Sequence, residues 1–464
     1  MSAQPRRLLW AHQYHPGPQA AGGVRPRITI EGFRARGWQV RLVCGSGGYQ
    51  EAAGALAAAA AADEGVLWHS IPLRATGPDA RARSYWEFFW RGLAAGSRGF
   101  RPDLVFCSSP PLTQTLQAVL LARRWRVPMV LELRDLWPAF LEELELVRSR
   151  SALAALRRLE TLAYRSASAI VSASPAFRPY LEARGVRADA IVDAPHGARD
   201  RDPAALREAG MTFRTTHRLG ERPVVLYAGA LHSHYGLDSW LAAAAILAAR
   251  RPDIAFVVAG GGRQQDRVAA AARSLPNLHY LGTVPRAELD GAIGAADLGL
   301  VCLSRAPSFV SVLPGKLVEL MSCGVPVVTT VSGQAARLVE RAGAGWIVDN
   351  DSHDLAAAIE LGIAAGSAER ARRGAAGRRF VQRWMAADAQ ASAIVDACEA
   401  AVGGLPVALR SCWSALFEAK AGAGRSFARD GAVAARAFDR WLDFRGSPFG
   451  SPAAPGSSAT GPSR

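Results

Sequence analysis

Thirteen short apolar runs of strand length recur along the chain, nearly all parted by stretches long enough to hold a helix. In the first half they fall at residues 8–14, 39–44, 66–71, 103–108, 129–133, 169–173 and 190–193. In the second half they fall at 224–228, 254–259, 278–281, 298–303, 325–330 and 346–348. Strand and helix alternating in this way predict α/β architecture with parallel, doubly wound sheets. A chain of 464 residues is too long for one such core. A charged stretch without a strong apolar period, residues 198–222, divides the pattern and is read as an interdomain connection. Two Rossmann-like domains facing across a cleft are therefore expected, at residues 1–197 and 223–402. A basic amphipathic extension (403–445) and a tail rich in Ser, Pro, Gly and Ala (446–464), expected to be disordered, follow. Ligands of such sheets bind beyond the carboxyl ends of the strands. The loops after Tyr14, Leu133, Ala228, Ala259 and Leu303 should line the cleft.

Charge narrows the partners. The formal net charge is +15, which attracts polyanions. No dense basic run interleaved with stacking aromatics and no nucleic-acid module is present, so a diphosphate or an anionic membrane face ranks above nucleic acid. The six cysteines form no C-x-x-C pair and mostly lie in apolar runs, which predicts buried thiols in a reducing cytosol. The first residues pass into a strand without the apolar region of a signal peptide, and no uninterrupted apolar stretch is long enough to span a bilayer.

Only two lysines occur among 55 basic residues. One, Lys316, lies in Leu313-Pro314-Gly315-Lys316-Leu317-Val318-Glu319, where a loop turns into a helix. A compact ammonium at a helix N-terminus suits a diphosphate, because the unpaired N–H groups and the helix dipole already favour an anion. Glu319, one turn on, lies on the same face and is placed to accept ribose hydroxyls. The competing reading is a solvated Lys316–Glu319 pair three residues apart.

Several segments in fixed order resemble family 4 glycosyltransferases of the GT-B fold. They are Ala-Gly-Gly-Val-Arg-Pro-Arg after the first strand, Ser-Ser-Pro-Pro-Leu-Thr, Glu-Leu-Arg-Asp-Leu-Trp-Pro, Tyr-Ala-Gly-Ala-Leu, the Lys316 segment, and Arg-Ala-Gly-Ala-Gly-Trp-Ile-Val. The resemblance covers about residues 7–400 and points to the branch of bacterial N-acetyl-L-fucosamine and polysaccharide transferases. It implies that the second domain holds a nucleotide-sugar, with Glu319 at the second position of a Glu-x7-Glu motif. Ser311 stands where that motif has its first Glu. The Arg and Lys that often follow the Tyr-Ala-Gly strand are replaced by Leu231-His232-Ser233-His234-Tyr235-Gly236, so Lys316 is expected to be the main diphosphate contact. Gly229, Gly261, Gly315, Ser311 and His232 complete the expected nucleotide-sugar site.

On the acceptor side, Gly22 and Gly23 permit close backbone approach before a helix, and Arg25 is expected to reach into the cleft. Asp135 is the expected acceptor-side carboxylate, orienting or deprotonating the attacking hydroxyl, with Arg134 beside it. An Arg134–Asp135 structural ion pair is the alternative. Tyr85, Trp86, Phe88, Phe89 and Trp90 among arginines suit either a helix in a membrane interface or core packing. The resemblance implies a retaining transferase, independent of metal. It is expected to move a sugar, plausibly an N-acetylhexosamine from a UDP donor, onto a lipid-linked or glycan acceptor at the inner face of the plasma membrane. A sugar-nucleotide epimerase of the same fold and a catalytically silent partner subunit remain open.

Overall fold

A computed structural model describes residues 4–14, 24–46, 66–73, 80–304 and 306–405. All thirteen expected strands are present, in two parallel sheets. The first contains β1 (Arg7–Ala11), β2 (Gln39–Ser46), β3 (Val66–Pro72), β4 (Leu104–Ser109), β5 (Met129–Leu133), β6 (Ala169–Ser172) and β7 (Ile191–Asp193), in the order β3-β2-β1-β4-β5-β6-β7. The second contains β8 (Val224–Ala228), β9 (Ala255–Ala259), β10 (Leu278–Gly282), β11 (Leu298–Val301), β12 (Val327–Thr329) and β13 (Gly345–Ile347), in the order β10-β9-β8-β11-β12-β13. Every residue of β4, β5 and β9 is buried. That is the reason these strands read as continuous apolar runs: helices cover both faces of a parallel sheet. Strand order reverses between β1 and β4 and between β8 and β11, which opens a crevice at the carboxyl end of each sheet.

Two expected boundaries shift. Residues 203–216, placed in the interdomain connection, form a helix (Pro203–Thr216) that packs on the helix Arg286–Ala295 of the second domain. Its buried seam holds only Leu206, Gly210 and Phe213. Gly210 and Gly294 bring the two backbones together, since a Cβ on Gly210 would lie 2.3 Å from the Gly294 carbonyl carbon. A seam of glycine carries almost no apolar signal. The segment belongs to the second domain.

The last described helix, Ala387–Val402, was expected in the second domain and instead returns to the first. Ala393, Ile394, Val395, Ala397 and Cys398 join a core with Leu8, Trp10, Phe33 and Phe106. Ala198 and Ala387 fix the crossing: Ala198 N–H donates to Met385 O at 2.9 Å and Ala387 N–H to Ala198 O at 3.0 Å. Gln390 accepts from Gly197 N–H at 2.7 Å. Four of the five described cysteines are buried thiols. The expected extension, the tail, Gly22 and Gly23 lie outside the described residues.

Candidate active site

The second domain builds its side of the cleft from two interlocked glycine loops. Gly229 N–H donates to Ala259 O at 2.9 Å and Leu231 N–H to Gly261 O at 2.9 Å, tying the loop after β8 to the loop after β9. Gly229 and Gly260 have φ of 142° and 149°, a region that side chains rarely enter. A Cβ on Gly260 would also lie 1.9 Å from Gly229 O. Neither position accepts another residue without moving the loops. Gly261 has Thr283 Oγ1 2.7 Å from where a Cβ would stand.

Lys316 enters this corner from the helix Gly315–Ser322 and lies on Gly229, where a Cβ would meet its Nζ at 2.9 Å. Its Nζ donates to Tyr227 Oη at 3.1 Å. It also sits 4.3 Å from the ring centroid of Tyr227 and 4.5 Å from that of Tyr235, a cation held over two aromatic faces. Tyr227 gives its own proton to Ala230 O at 2.8 Å and stacks on Trp240 at 4.9 Å. Its hydroxyl is therefore oriented to accept from Lys316. Loss of hydration pushes the ammonium down to about 8, against an opposing influence from Cys302. Burial holds the Cys302 thiol near 12, so it carries no charge at neutral pH. The described surroundings of Lys316 are a hydroxyl, two ring faces and a glycine, and no carboxylate pairs with it among the described residues.

The first domain contributes the end of β5. Glu132 is buried, takes Arg25 Nε at 2.7 Å and accepts the Ser108 hydroxyl at 2.6 Å. Burial alone would raise this carboxyl. The charges of Arg25 and Arg134, with the hydrogen bonds from Ser108 and Arg25, outweigh it and hold the carboxyl below its usual range. Arg25 also donates Nη1 to Ala194 O at 2.8 Å. The expectation that Arg25 reaches into the cleft is therefore corrected: at 2% exposure it serves a buried ion pair beneath the floor. Arg134 is the cleft cation of this half, with Nη1 3.3 Å from His12 Nε2. It acts on Asp135 through charge, and the two form no direct ion pair among the described residues. Burial raises the Asp135 carboxyl and Arg134 partly offsets the rise.

Tyr235 and His196 bring the halves together. Burial pushes the Tyr235 hydroxyl up to about 12, and Asp135 of the opposite domain adds to the rise while Arg134 opposes it. His196 follows β7, and its Nδ1 would lie 3.3 Å from a Cβ on Gly315, at the start of the Lys316 helix. Burial first, then Arg25 and Arg134, hold this imidazole well below its usual range, so it is neutral. Neither residue was selected from the sequence as a site residue. The available signal was Pro195-His196-Gly197, a histidine directly beyond a strand's carboxyl end.

Two donor-side expectations change in detail, and a third keeps its place. Ser311 is buried in a 3-10 turn (Pro307–Ser311) and spends its hydroxyl on Ser308 O at 2.7 Å, while its carbonyl accepts from Ser174 at 2.5 Å. It is an interdomain contact, supported by Glu143 accepting Ser308 N–H at 2.8 Å and by Phe140 packing edge-on against Phe309 at 5.7 Å. Its side chain is not presented to a sugar. Glu319 pairs with Arg286, which also binds Asp290 at 3.0 Å. The Lys316–Glu319 surface pair does not form among the described residues, since Glu319 is taken by Arg286. His232 is partly exposed, 5.5 Å from the His234 ring and 6.2 Å from the Tyr235 ring, at the edge of the Lys316 cluster.

Residues 22–197 match the glycosyl transferase 4-like domain, and residues 212–380 match glycosyl transferases group 1. A GDP-mannose-dependent alpha-(1-6)-phosphatidylinositol monomannoside mannosyltransferase of Mycobacterium tuberculosis is 28% identical over 200 residues, 42% of this chain and 51% of that protein. The chain thus spans about half the length of the mycobacterial relatives it matches. The probable glycosyltransferase WbjE of Pseudomonas aeruginosa is 22% identical over 268 residues, 57% of this chain and 67% of that protein. Among solved structures, Anabaena HepE with UDP-glucose superposes with a TM-score of 0.64 at 19% identity, covering 85% of this chain and 99% of that one. Sucrose-phosphate synthase of Thermosynechococcus elongatus gives 0.64 at 19% identity, over 84% and 97%. Two family matches in succession over most of the chain, on paired parallel sheets of matching fold, assign the chain to the family 4-like, group 1 glycosyltransferases of the GT-B fold.

Proposed function

We propose that this chain is a retaining glycosyltransferase that moves a sugar, an N-acetylhexosamine from a UDP-sugar, onto a lipid-linked or glycan acceptor in cell-surface polysaccharide assembly. The observation that carries this reading is Lys316. A half-buried ammonium facing a hydroxyl, two rings and glycine backbone is costly alone and becomes favourable when a diphosphate supplies the missing negative charge. Support for the nucleotide comes from HepE, whose solved complexes hold UDP and UDP-glucose. Support for a lipid-linked acceptor comes from the mycobacterial relatives, whose name gives a phosphatidylinositol mannoside as acceptor and GDP-mannose as donor. We take the nucleotide to be UDP, and the two names define the test.

In this reading the bond from the sugar's anomeric carbon to the β-phosphate oxygen breaks as the acceptor oxygen bonds to the same face of that carbon. The bonding electrons leave with the diphosphate, whose growing charge is met by Lys316 and the N–H groups that open its helix, with no metal needed. The acceptor hydroxyl loses its proton to the departing phosphate oxygen. Asp135, across the cleft beside Tyr235, orients that hydroxyl. Glu319 accepts the ribose hydroxyls. The enzyme would work peripherally at the cytoplasmic membrane face.

A panel of UDP- and GDP-sugars read by thermal stabilisation tests the donor, because a ligand that binds only the native state raises the melting temperature. Stabilisation by a UDP-N-acetylhexosamine and its loss in Lys316→Met are expected. Stabilisation by a GDP-sugar alone would overturn the nucleotide, and unchanged transfer by Lys316→Met would overturn the mechanism. Release of an altered nucleotide-sugar with no acceptor would mark an epimerase instead.

A further inference from the structure

The diphosphate proposed above carries a charge on each phosphate, and Lys316 answers one of them. The loop at residues 231–236 beside it adds no arginine or lysine. Another cation stands on the opposite side of the cleft. Arg134 follows β5 directly, and its backbone N–H is fixed to Ser109 O, at the end of β4, at 3.0 Å. Its guanidinium has only donors, so His12 Nε2, 3.3 Å away, accepts from it. His12 lies flat on Trp10, with ring centroids 5.6 Å apart and planes 3° from parallel, and Trp10 Nε1 donates to Ser108 at 3.0 Å. Ser108 is bonded in turn to Glu132. A stacked and anchored platform thus holds the guanidinium in place, and no carboxylate bonds to it among the described residues.

The fold brings this cation toward Lys316. The helix Ala139–Glu143, which follows Arg134 in the chain, is clasped to the turn Pro307–Ser311, which precedes Lys316. Phe140 packs on Phe309, Glu143 accepts Ser308 N–H and Ser174 donates to Ser311 O, with all three turn residues buried. His196, from the first domain, packs on Gly315, where the Lys316 helix begins. Tyr235 is a neighbour common to both cations. Lys316 Nζ is 4.5 Å from its ring centroid, and although burial dominates the titration of Tyr235 and of His196, the Arg134 charge acts on both. An arginine kept for structure would be paired, as Arg25 is with Glu132. In the proposed transfer the acceptor hydroxyl and the departing phosphate meet on one face of the sugar. Asp135 orients the first, and its chain neighbour Arg134 is placed to hold the second.

We infer that Arg134 is a second ligand of the donor's diphosphate, closing from the first domain on the group that Lys316 and its helix hold from the second. The inference rests on the diphosphate donor proposed above and adds to it a residue of the acceptor-side domain. A guanidinium fork suits phosphate oxygens, and a bond between two charged partners is stronger than a neutral one. The two cations form one site only while the turn Pro307–Ser311 keeps the halves together, so recognition of the diphosphate is shared between the domains.

The test is titration calorimetry of the full chain with UDP and with UMP, and in parallel with GDP and GMP. Wild type should bind UDP at least about tenfold more tightly than UMP, which brings one phosphate fewer to the two cations. Arg134→Gln should weaken UDP about 10–100-fold, as loss of a hydrogen bond between charged groups does, and UMP far less. Arg134→Lys should recover part of the loss. An unchanged ratio of UDP to UMP affinity in Arg134→Gln overturns the inference, and a rise in acceptor KM alone would then assign Arg134 to the acceptor. An equal loss for both nucleotides overturns it too, since that marks a general loosening of the fold. Failure of the wild type to bind UDP or GDP overturns the proposed transferase as well. Binding of GDP alone corrects the base, and Arg134 is then judged by the same criterion on the ratio of GDP to GMP affinity.

Discussion

Arg25 and Lys316 are both cations that the sequence suggested for the cleft, one from each domain, and their surroundings differ in the one respect that matters. Arg25 is neutralised within the fold by Glu132, with Ser108 and Ala194 completing the network. Lys316 is given a hydroxyl, two ring faces and a glycine, but no described carboxylate. The first arrangement makes a rigid floor. The second keeps an unmet electrostatic demand that a ligand can satisfy. A positive side chain near a cleft is therefore informative only together with what neutralises it.

The comparison is broken or sharpened by four measurements. Arg25→Met strands a buried carboxylate, and a loss of about 3–5 kcal/mol in denaturant-derived stability at neutral pH is expected; a loss within experimental error would make the pair dispensable. The same pair gives a pH signature. Because the folded-state pKa of Glu132 lies below its ordinary 4.5, its stabilisation is complete above that value and is lost as pH falls through the depressed one. Arg25→Met should remove this part of the acid profile.

Next, Lys316→Met should lower turnover by about 100–1,000-fold, as removal of a transition-state cation does. The melting temperature of the unliganded variant should match or exceed wild type, since the desolvated charge is gone. A large stability loss would place Lys316 in the structural class of Arg25. Third, donor affinity should fall about tenfold per pH unit above about 8 in the wild type. The ligand favours the protonated lysine, and the free protein gives up that proton near 8. Titration calorimetry of Lys316→Met should show no such slope. Smallest of all, Ser311→Ala should leave turnover within about twofold and cost about 0.5–1.5 kcal/mol of stability, because its hydroxyl serves its own turn. A large turnover loss would return Ser311 to the sugar pocket.

The strands were readable because burial on both faces writes an unbroken apolar run, and strand ends in parallel sheets point at the crevice. Asp135 and Lys316 were selected by that rule, and Tyr235 lies under the influence of both across the domain boundary. Local sequence does not encode partners. Arg25 and Glu132 are 107 positions apart, and nothing near Arg25 announces a buried carboxylate. Ser311 shows the same limit: its place in a spaced motif suggested a ligand contact, whereas its turn binds the hydroxyl first. Tyr235 and His196 act across the domain boundary, so their importance appears only once the halves are apposed. The helix Pro203–Thr216 escaped because its contact is made of glycine, and the helix Ala387–Val402 because an amphipathic face does not state which sheet it will cover.

That returning helix sets a schedule for synthesis. The first sheet is complete in sequence at β7, yet a face of its core is closed by residues that leave the ribosome roughly 200 positions later, an interval on the order of 10–40 s at ordinary elongation rates. The second domain needs no such late contribution to its own core. The half that begins first is thus finished last, and the nascent chain carries an uncovered apolar surface until the whole second domain has emerged.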